Sequence, residues 1–292
     1  MTDDQPWTIG RLLMWTTDFL RDKNAESPRL DAEVLLAHAR DCQRIELYTV
    51  FEEVPDEQVR QQFRDLVSRR AGGTPVAYLV GHREFFSLPF QVTPDVLIPR
   101  PETELLVVRA LDLAKSNPQP PHIADVGTGS GVLAVCCAKH LPTCSVMALD
   151  LSPQALQIAK QNATKHKVAQ QIEFVCSDLF ANQPAEPTFD LILSNPPYVA
   201  TAEMKGLEAG VRDYEPHLAL DGGEQGTEII ERLVPQAAER LKPDGWLLIE
   251  VSPTNALRVE YLLSDDSRLA KHETIHDLAG LPRVVQAQRK RE

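Results

Sequence analysis

The sequence predicts a two-part fold, a small all-α domain followed by an α/β domain on a mostly parallel sheet, and three observations predict it. Between Thr8 and about Arg70 apolar residues recur at helical spacing: Ile9, Leu12, Leu13, Phe19 and Leu20, then Leu30, Val34 and Leu35, then Val59, Phe63, Leu66 and Val67. From His122 onward, short apolar strands alternate with helix-length segments. Between the two regions, Glu84 to Pro99 carries aromatic and branched residues around Pro89 and Pro94, which reads as a β-hairpin or extended linker. The boundaries that follow are a helical domain over 1–83, a hairpin linker over 84–100 and the α/β domain over 101–292.

Each element has its own signal. Pro28 and Pro55 sit where helices begin, and Gly72-Gly73-Thr74-Pro75 breaks the last of the N-terminal helices. A helical pattern resumes after Pro101 through Leu105, Leu106, Val108, Leu111 and Leu113, and ends in Asn117-Pro118-Gln119-Pro120-Pro121. Strands are predicted at His122–Val126, Ser145–Asp150, Gln171–Cys176, Phe189–Ser194 and Trp246–Val251, with a closing edge strand at Arg283–Gln288. Helices fill the gaps at Gly131–His140, Pro153–Lys167 and Thr227–Leu241.

Composition narrows the function classes. A chain of 292 residues, 43% hydrophobic and 25% charged, is ordinary for a globular protein of two domains. No apolar run is long enough to span a bilayer, and the acidic start Met1-Thr2-Asp3-Asp4-Gln5-Pro6 lacks the basic and apolar parts of a signal peptide, so a cytoplasmic location is expected. The five cysteines form no CxxC pair, which suits neither a disulfide framework nor a zinc ribbon. A net charge of -12 opposes nonspecific binding to a phosphate backbone, and no direct nucleic-acid substrate is expected. An acidic enzyme suits a basic protein partner, though charge alone identifies none.

The first strand of the alternating region runs into Asp125-Val126-Gly127-Thr128-Gly129-Ser130-Gly131, which opens a helix. Glycines at such a turn let a ligand approach the backbone at the carboxyl end of the sheet. The dinucleotide fingerprint G-x-G-x-x-G would need a third glycine at Val132, whereas this loop reads G-x-G-x-G. Asp150 ends the second strand, where a carboxylate can accept both hydroxyls of a ribose. Asp178 and Leu179 follow the third, placed to accept from an adenine amine and cover the ring. Either aspartate alone reads first as a helix cap, as Asp often is after a strand. Behind one glycine loop they form a nucleoside site together.

The fourth strand delivers Asn195-Pro196-Pro197-Tyr198 to the same edge. Two prolines stiffen the loop and remove two N–H donors, so it is built to accept hydrogen bonds. The Asn195 side-chain oxygen and the Pro196 carbonyl suit the two hydrogens of a planar NH2, with Tyr198 packed on its flat face. Such a nitrogen is a poor nucleophile because its lone pair is delocalised. Acceptors on both hydrogens align it and stabilise the positive charge that develops as it is alkylated. With a nucleoside site alongside, the natural donor is the sulfonium methyl of S-adenosylmethionine, and no metal is required.

His272-Glu273-Thr274-Ile275-His276 matches the H-E-x-x-H zinc pattern, which needs both imidazoles on one helix face. Two β-branched residues, the closing β region and the lack of an evident third ligand reject it here.

The run Gly73-Thr74-Pro75-Val76-Ala77-Tyr78-Leu79, with Gly81, Glu84-Phe85 and Val96-Leu97-Ile98-Pro99-Arg100-Pro101-Glu102-Thr103-Glu104, resembles the linker of the HemK/PrmC peptide chain release factor glutamine methyltransferases. The similarity continues through Asp125–Gly131, Ser194–Tyr198, Tyr214-Glu215-Pro216, Ala219–Gly223 and Asp277–Arg283. The Asn-Pro-Pro-Tyr loop alone is shared with adenine-N6 methyltransferases, so specificity lies in the other segments. The resemblance implies a Rossmann-like methyltransferase domain with a mostly parallel seven-stranded sheet, and an N-terminal domain that helps grip the substrate. The implied substrate is a class I peptide chain release factor, methylated on the side-chain nitrogen (N5) of the glutamine in its Gly-Gly-Gln motif by a monomer. A ribosomal-protein glutamine or a nucleic-acid adenine is the alternative. Asn195, Pro196, Pro197 and Tyr198 would hold the amide, and Gly127, Thr128, Gly129, Ser130, Gly131, Asp150, Asp178, Leu179 and Asn195 the cofactor. Arg100 and Glu102 border the cofactor pocket or a domain interface. After the Trp246–Glu250 strand the family commonly has a glycine and later a glutamine, where this chain has Ser252 and Asn255.

Overall fold

The computed structural model describes residues 6–115 and 119–291. The acidic start before Pro6 and the Asn117-Pro118 pair of the predicted turn lie outside the described residues. The chain divides into two compact units, Met1–Gly81 with Ala209–Tyr214, and His82–Glu208 with Glu215–Glu292. No helix among the described residues is long and apolar enough to cross a membrane.

The first unit is all helical. Helix α1 (Ile9–Asp22) starts at Thr8, whose hydroxyl accepts from the Arg11 N–H, and α3 (Glu57–Ala71) starts at Asp56, whose carboxylate accepts from Val59. Between them α2 (Pro28–Arg40) opens on its proline, where the missing N–H costs nothing. The apolar faces meet in a core of Leu13, Leu20, Leu35, Leu36, Leu47 and Phe63. Arg70 on α3 reaches Asp31 on α2 at 2.7 Å. The predicted break at Gly72–Pro75 is followed by one more helical turn, α4 (Val76–Val80), with Gly72 capping α3 and Pro75 standing at the N-cap of α4. Ala209–Tyr214 completes this unit, with the Tyr214 hydroxyl donating to the Gly72 carbonyl at 3.0 Å.

The second unit opens with the predicted hairpin, β1 (His82–Phe85) and β2 (Leu88–Gln91), turned through Phe86 and Ser87 at φ 50° and 58°. Helix α5 (Glu104–Lys115) leads to the alternating region: β3 (His122–Val126), α6 (Val132–His140), β4 (Ser145–Asp150), α7 (Pro153–Lys165), β5 (Ile172–Cys176) and β6 (Phe189–Ser194). After the excursion through α8 (Ala209–Arg212) come α9 (Glu228–Arg240), β7 (Leu241–Glu250), α10 (Ala256–Asp265), β8 (Leu269–Lys271), β9 (Ile275–His276) and β10 (Pro282–Arg289). The sheet order is β5-β4-β3-β6-β7-β10-β8, seven strands along the path, with the two-residue β9 also paired to β10. From β5 to β7 neighbours are parallel, and β10 runs antiparallel to β7.

The predicted strands are present with small shifts at their ends, but the strand expected to close the sheet edge, β10, lies inside the sheet between β7 and β8, because the unpredicted β8 and β9 pair with its outer side. The main difference is β7, which begins at Leu241 rather than Trp246: its register with β6 jumps over Lys242–Gly245, where Asp244 has φ 64°. A bulge containing a proline hid that start. Helix α10 and strands β8 and β9 are additional to the predicted elements. On one face of the sheet Leu106, Leu133 and Val135 form the core, and on the other Ile230, Leu233 and Val259. The chain order reverses between β3 and β6, so the carboxyl ends of β3, β4 and β6 converge at a topological switch point.

Asn162 on α7 ties the hairpin to that point. Its buried amide donates to the carbonyls of Gln91 (3.0 Å) and Ser130 (2.8 Å), and its oxygen accepts from the Gln91 N–H (2.7 Å). Asn162→Leu removes this side chain and leaves buried backbone groups unpaired, an expected loss of about 2–4 kcal/mol of unfolding free energy. Urea denaturation measures it, and a change below about 0.5 kcal/mol would show the strut to be dispensable.

Candidate active site

A cavity opens at the switch point, lined by Gly127, Thr128, Gly129 and Ser130, by Asp150, by Asp178 and Leu179, and by Asn195 and Pro197. Three predicted site residues, Gly131, Pro196 and Tyr198, are not on its wall.

The glycine loop is cinched from within. Asp125, fully buried near the end of β3, accepts from the Thr128 hydroxyl at 2.6 Å and from the Ala134 N–H at 3.0 Å. Burial pushes its pKa up to about 7, against the opposing pull of those two donors. The N–H groups of Gly127 and Thr128 both donate to the Leu149 carbonyl, which stitches the loop to β4. Gly131 serves packing instead of lining: at φ 82°, a Cβ there would lie 3.0 Å from the Ala159 Cβ of α7.

Asp150 ends β4 with both oxygens engaged, Oδ2 accepting from Gly129 N–H at 2.8 Å and Oδ1 from Ser152 N–H at 2.9 Å. Burial raises its pKa, and these backbone donors oppose the rise. The cap of α7 is Ser152, whose hydroxyl accepts from Ala155 N–H at 3.1 Å, so Asp150 is not occupied as the helix cap. Asp178, half exposed, meets Arg232 at 2.5 Å, and Leu179 holds a left-handed φ of 50° on the cavity wall.

Ser194, at the end of β6, donates to the Val126 carbonyl at 2.7 Å and sets the level at which the next residue leaves the sheet. The Asn195 side-chain amide then donates to the Thr103 hydroxyl at 3.1 Å, which directs the amide oxygen the other way. Pro196 is buried, while Tyr198 is partly exposed with its hydroxyl 3.5 Å from Glu250 Oε1. Burial pushes the Tyr198 phenol well above its usual range.

The segment Leu220–Gly226 backs this loop. Val199 N–H donates to the Leu220 carbonyl and Gly222 N–H to the Val199 carbonyl, at 3.0 and 2.9 Å. Gly226, at φ 75°, comes so close that a Cβ would sit 2.6 Å from the Tyr198 oxygen. Asn255, one of the two departures from the family pattern, is buried behind the same loop and donates to the Tyr198 carbonyl at 3.3 Å. The other, Ser252, shares a 2.7 Å hydrogen bond with Thr254.

Arg100 lines the cavity and meets the buried Glu215 at 2.6 Å. Glu102 lies 3.7 Å from Arg283, itself bonded to Asp277 at 2.8 Å. His272 packs tilted against Trp246, with ring centroids 4.4 Å apart, in the extended stretch joining β8 and β9. His272 and His276 therefore share no helix face.

Residues 11–81 match the model of the PrmC N-terminal domain, and residues 103–211 that of the methyltransferase small domain. A release factor glutamine methyltransferase of Rhodopirellula baltica is 49% identical over 291 residues, covering 99% of this chain and 98% of that protein. The chain belongs to the release factor glutamine methyltransferase family. Another protein of that name, from Koribacter versatilis, is 43% identical over 91% of this chain and 93% of its own. The fold reaches beyond the release factor glutamine methyltransferases. A ribosomal protein L11 methylase from Lactobacillus delbrueckii subsp. bulgaricus superposes with a TM-score of 0.50 at 22% identity, over 72% of this chain and 90% of that one. The hMettl16 catalytic domain, solved with an RNA hairpin, gives 0.57 at 17%, over 78% and 83%. These two likenesses concern architecture alone.

Proposed function

We propose that this protein transfers a methyl group from S-adenosylmethionine to the side-chain amide nitrogen (N5) of the glutamine in the Gly-Gly-Gln motif of class I release factors. The observation that carries the reading is Asn195: anchored at its nitrogen by Thr103, it sits on the wall of the cavity that Gly129 and Asp150 also line. Family membership directs that acceptor to a glutamine amide.

The cavity fits the cofactor by its donor set. The Asp150 carboxylate offers two oxygens for ribose hydroxyls, Leu179 an apolar wall for a base, and Gly127 to Ser130 a backbone surface with little side-chain bulk. When bound, S-adenosylmethionine supplies a methyl already activated on a sulfonium. The protein's own part is positioning and charge. The Asn195 oxygen and the Pro196 carbonyl take the two amide hydrogens, and Tyr198 packs against the flat face of the amide. Those acceptors hold the nitrogen in line and stabilise its developing positive charge. The N-terminal helical domain contributes to gripping the release factor, and the work belongs in the cytoplasm beside translation.

The test is transfer of labelled methyl from S-adenosylmethionine to purified release factor, followed by mapping of the modified residue. Label on the Gly-Gly-Gln glutamine, lost when that glutamine is replaced by alanine, is the expected result. Label on a ribosomal protein or on nucleic acid, with none on release factor, overturns it.

A further inference from the structure

Arg100 stands between Pro99 and Pro101, with its backbone extended at φ -96° and ψ 145°, as a residue before proline prefers. Its side chain lines the cavity, where it is the only cation among the described residues of the wall, facing the carboxylates of Asp95, Asp150, Asp178 and Asp221. One end of the guanidinium is fixed. Its Nη2 donates to Glu215 Oε1 at 2.6 Å; the Glu215 side chain is 1% exposed, and its Oε2 accepts from the Ile98 N–H at 3.2 Å. That is the one hydrogen bond Arg100 makes among the described residues. A guanidinium has five N–H donors. Bracing Glu215 uses one of them, and the rest are left on a side chain that borders the cavity.

S-adenosylmethionine carries two cations, the sulfonium and the α-ammonium, and one anion, the α-carboxylate. Aspartates on the wall suit the cations. The carboxylate needs donors, and the glycine loop has few to give. Of the five backbone N–H groups from Gly127 to Gly131, four are bonded within the protein: Gly127 and Thr128 to the Leu149 carbonyl, Gly129 to Asp150, and Gly131 to the Thr128 carbonyl. The start of α6 is the other place an anion would settle. There the buried Asp125 carboxyl already accepts from the Ala134 N–H, and a second carboxyl would compete with it. Arg232, the partner of Asp178, does not line the cavity. Arg100 does, and its planar fork of donors matches a carboxylate.

We propose that Arg100 receives the α-carboxylate of S-adenosylmethionine, with Glu215 as the residue that positions its guanidinium. The inference rests on the reading of this cavity as the cofactor site. It gives that site a selectivity that the other contacts lack. Asp150 and Leu179 would accept the ribose and base of any adenosine nucleoside, whereas Arg100 favours one that carries a carboxylate. Glu215 restricts rotation of the guanidinium by holding one of its N–H groups, and Glu215 is in turn held by the linker backbone at Ile98.

The test is calorimetric titration of the full-length protein with S-adenosylmethionine and with decarboxylated S-adenosylmethionine, which differs only in lacking that carboxylate. The wild type is expected to bind the first about 10- to 100-fold more tightly, the range for a hydrogen bond between charged groups. In Arg100→Gln the affinity for S-adenosylmethionine should fall by about that factor, while the affinity for the decarboxylated form falls by no more than about threefold, so the preference disappears. Arg100→Lys keeps the charge and loses the fork, and its preference should lie between the two. Glu215→Gln should lower the preference in part, and add nothing to the loss in the double variant with Arg100→Gln, because the pair acts as a unit. A wild type that binds both forms equally overturns the proposal. So does an Arg100→Gln variant that loses both alike, which would leave Arg100 as a brace of the wall. A wild type that binds neither form brings down the cofactor reading, and the proposal with it.

Discussion

Asn195→Ala is expected to lower the single-turnover rate of methyl transfer by about 100- to 1,000-fold, the range seen when one aligned transition-state hydrogen-bonding group is removed. Cofactor affinity should stay within about threefold, because Asp150, Leu179 and the glycine loop on the cavity wall are left unchanged. The reason lies in timing. The amide nitrogen gains positive charge only as the new bond forms, so an acceptor on its hydrogen contributes more to the transition state than to the ground state. Rapid-quench transfer of labelled methyl gives the rate, and titration calorimetry gives the Kd. A variant that keeps the wild-type rate would remove Asn195 from the proposed acceptor pair. One that loses cofactor binding instead would move it to the cofactor side.

Asp150→Ala is expected to act in the opposite order, raising the cofactor Kd by roughly 30- to 100-fold. A hydrogen bond to a charged acceptor contributes about 1.5–3 kcal/mol, and Asp150 has two oxygens to offer. A further part of the loss would come from the loop, since Gly129 and Ser152 N–H groups are both held by this carboxylate. At saturating cofactor much of the turnover should return. An unchanged Kd would leave Asp150 with the task of bracing the glycine loop and nothing more.

The parts of the site that could be read from the sequence are those in which chemistry and topology coincide within a few residues. The Gly127–Gly131 loop leaves a strand and enters a helix, and Asn195-Pro196-Pro197-Tyr198 follows a strand ending at Ser194, so periodicity alone brings both to one sheet edge. What could not be read is the ring of supports behind them. Thr103 stands 92 positions from Asn195, Glu250 stands 52 from Tyr198, and Asn255 stands 57 from it. No local pattern encodes such contacts. Gly226 gave a letter but no geometry, since its meaning is the closeness of the Tyr198 carbonyl. Gly131 was assigned to the cofactor because it belongs to the loop, whereas its constraint comes from Ala159 on α7. The two departures separate in the same way. Asn255 carries a hydrogen bond to the Tyr198 carbonyl, whereas the Ser252 side chain reaches its neighbour Thr254.

The first unit borrows Ala209–Tyr214 from far down the chain, and Tyr214 closes onto Gly72 there. On a translating ribosome its helices therefore emerge before the strip that completes them. Residues 82–208 must be made in between, 127 positions by the bounds of the two units. At 5–20 residues per second that wait is roughly 6–25 s. During it the Gly72-Gly73 corner is without its tyrosine, and nascent helices with an unfinished edge are open to chaperones. A chain stalled anywhere before Tyr214 leaves the first unit without its closing strip, although all of its other residues were made long before.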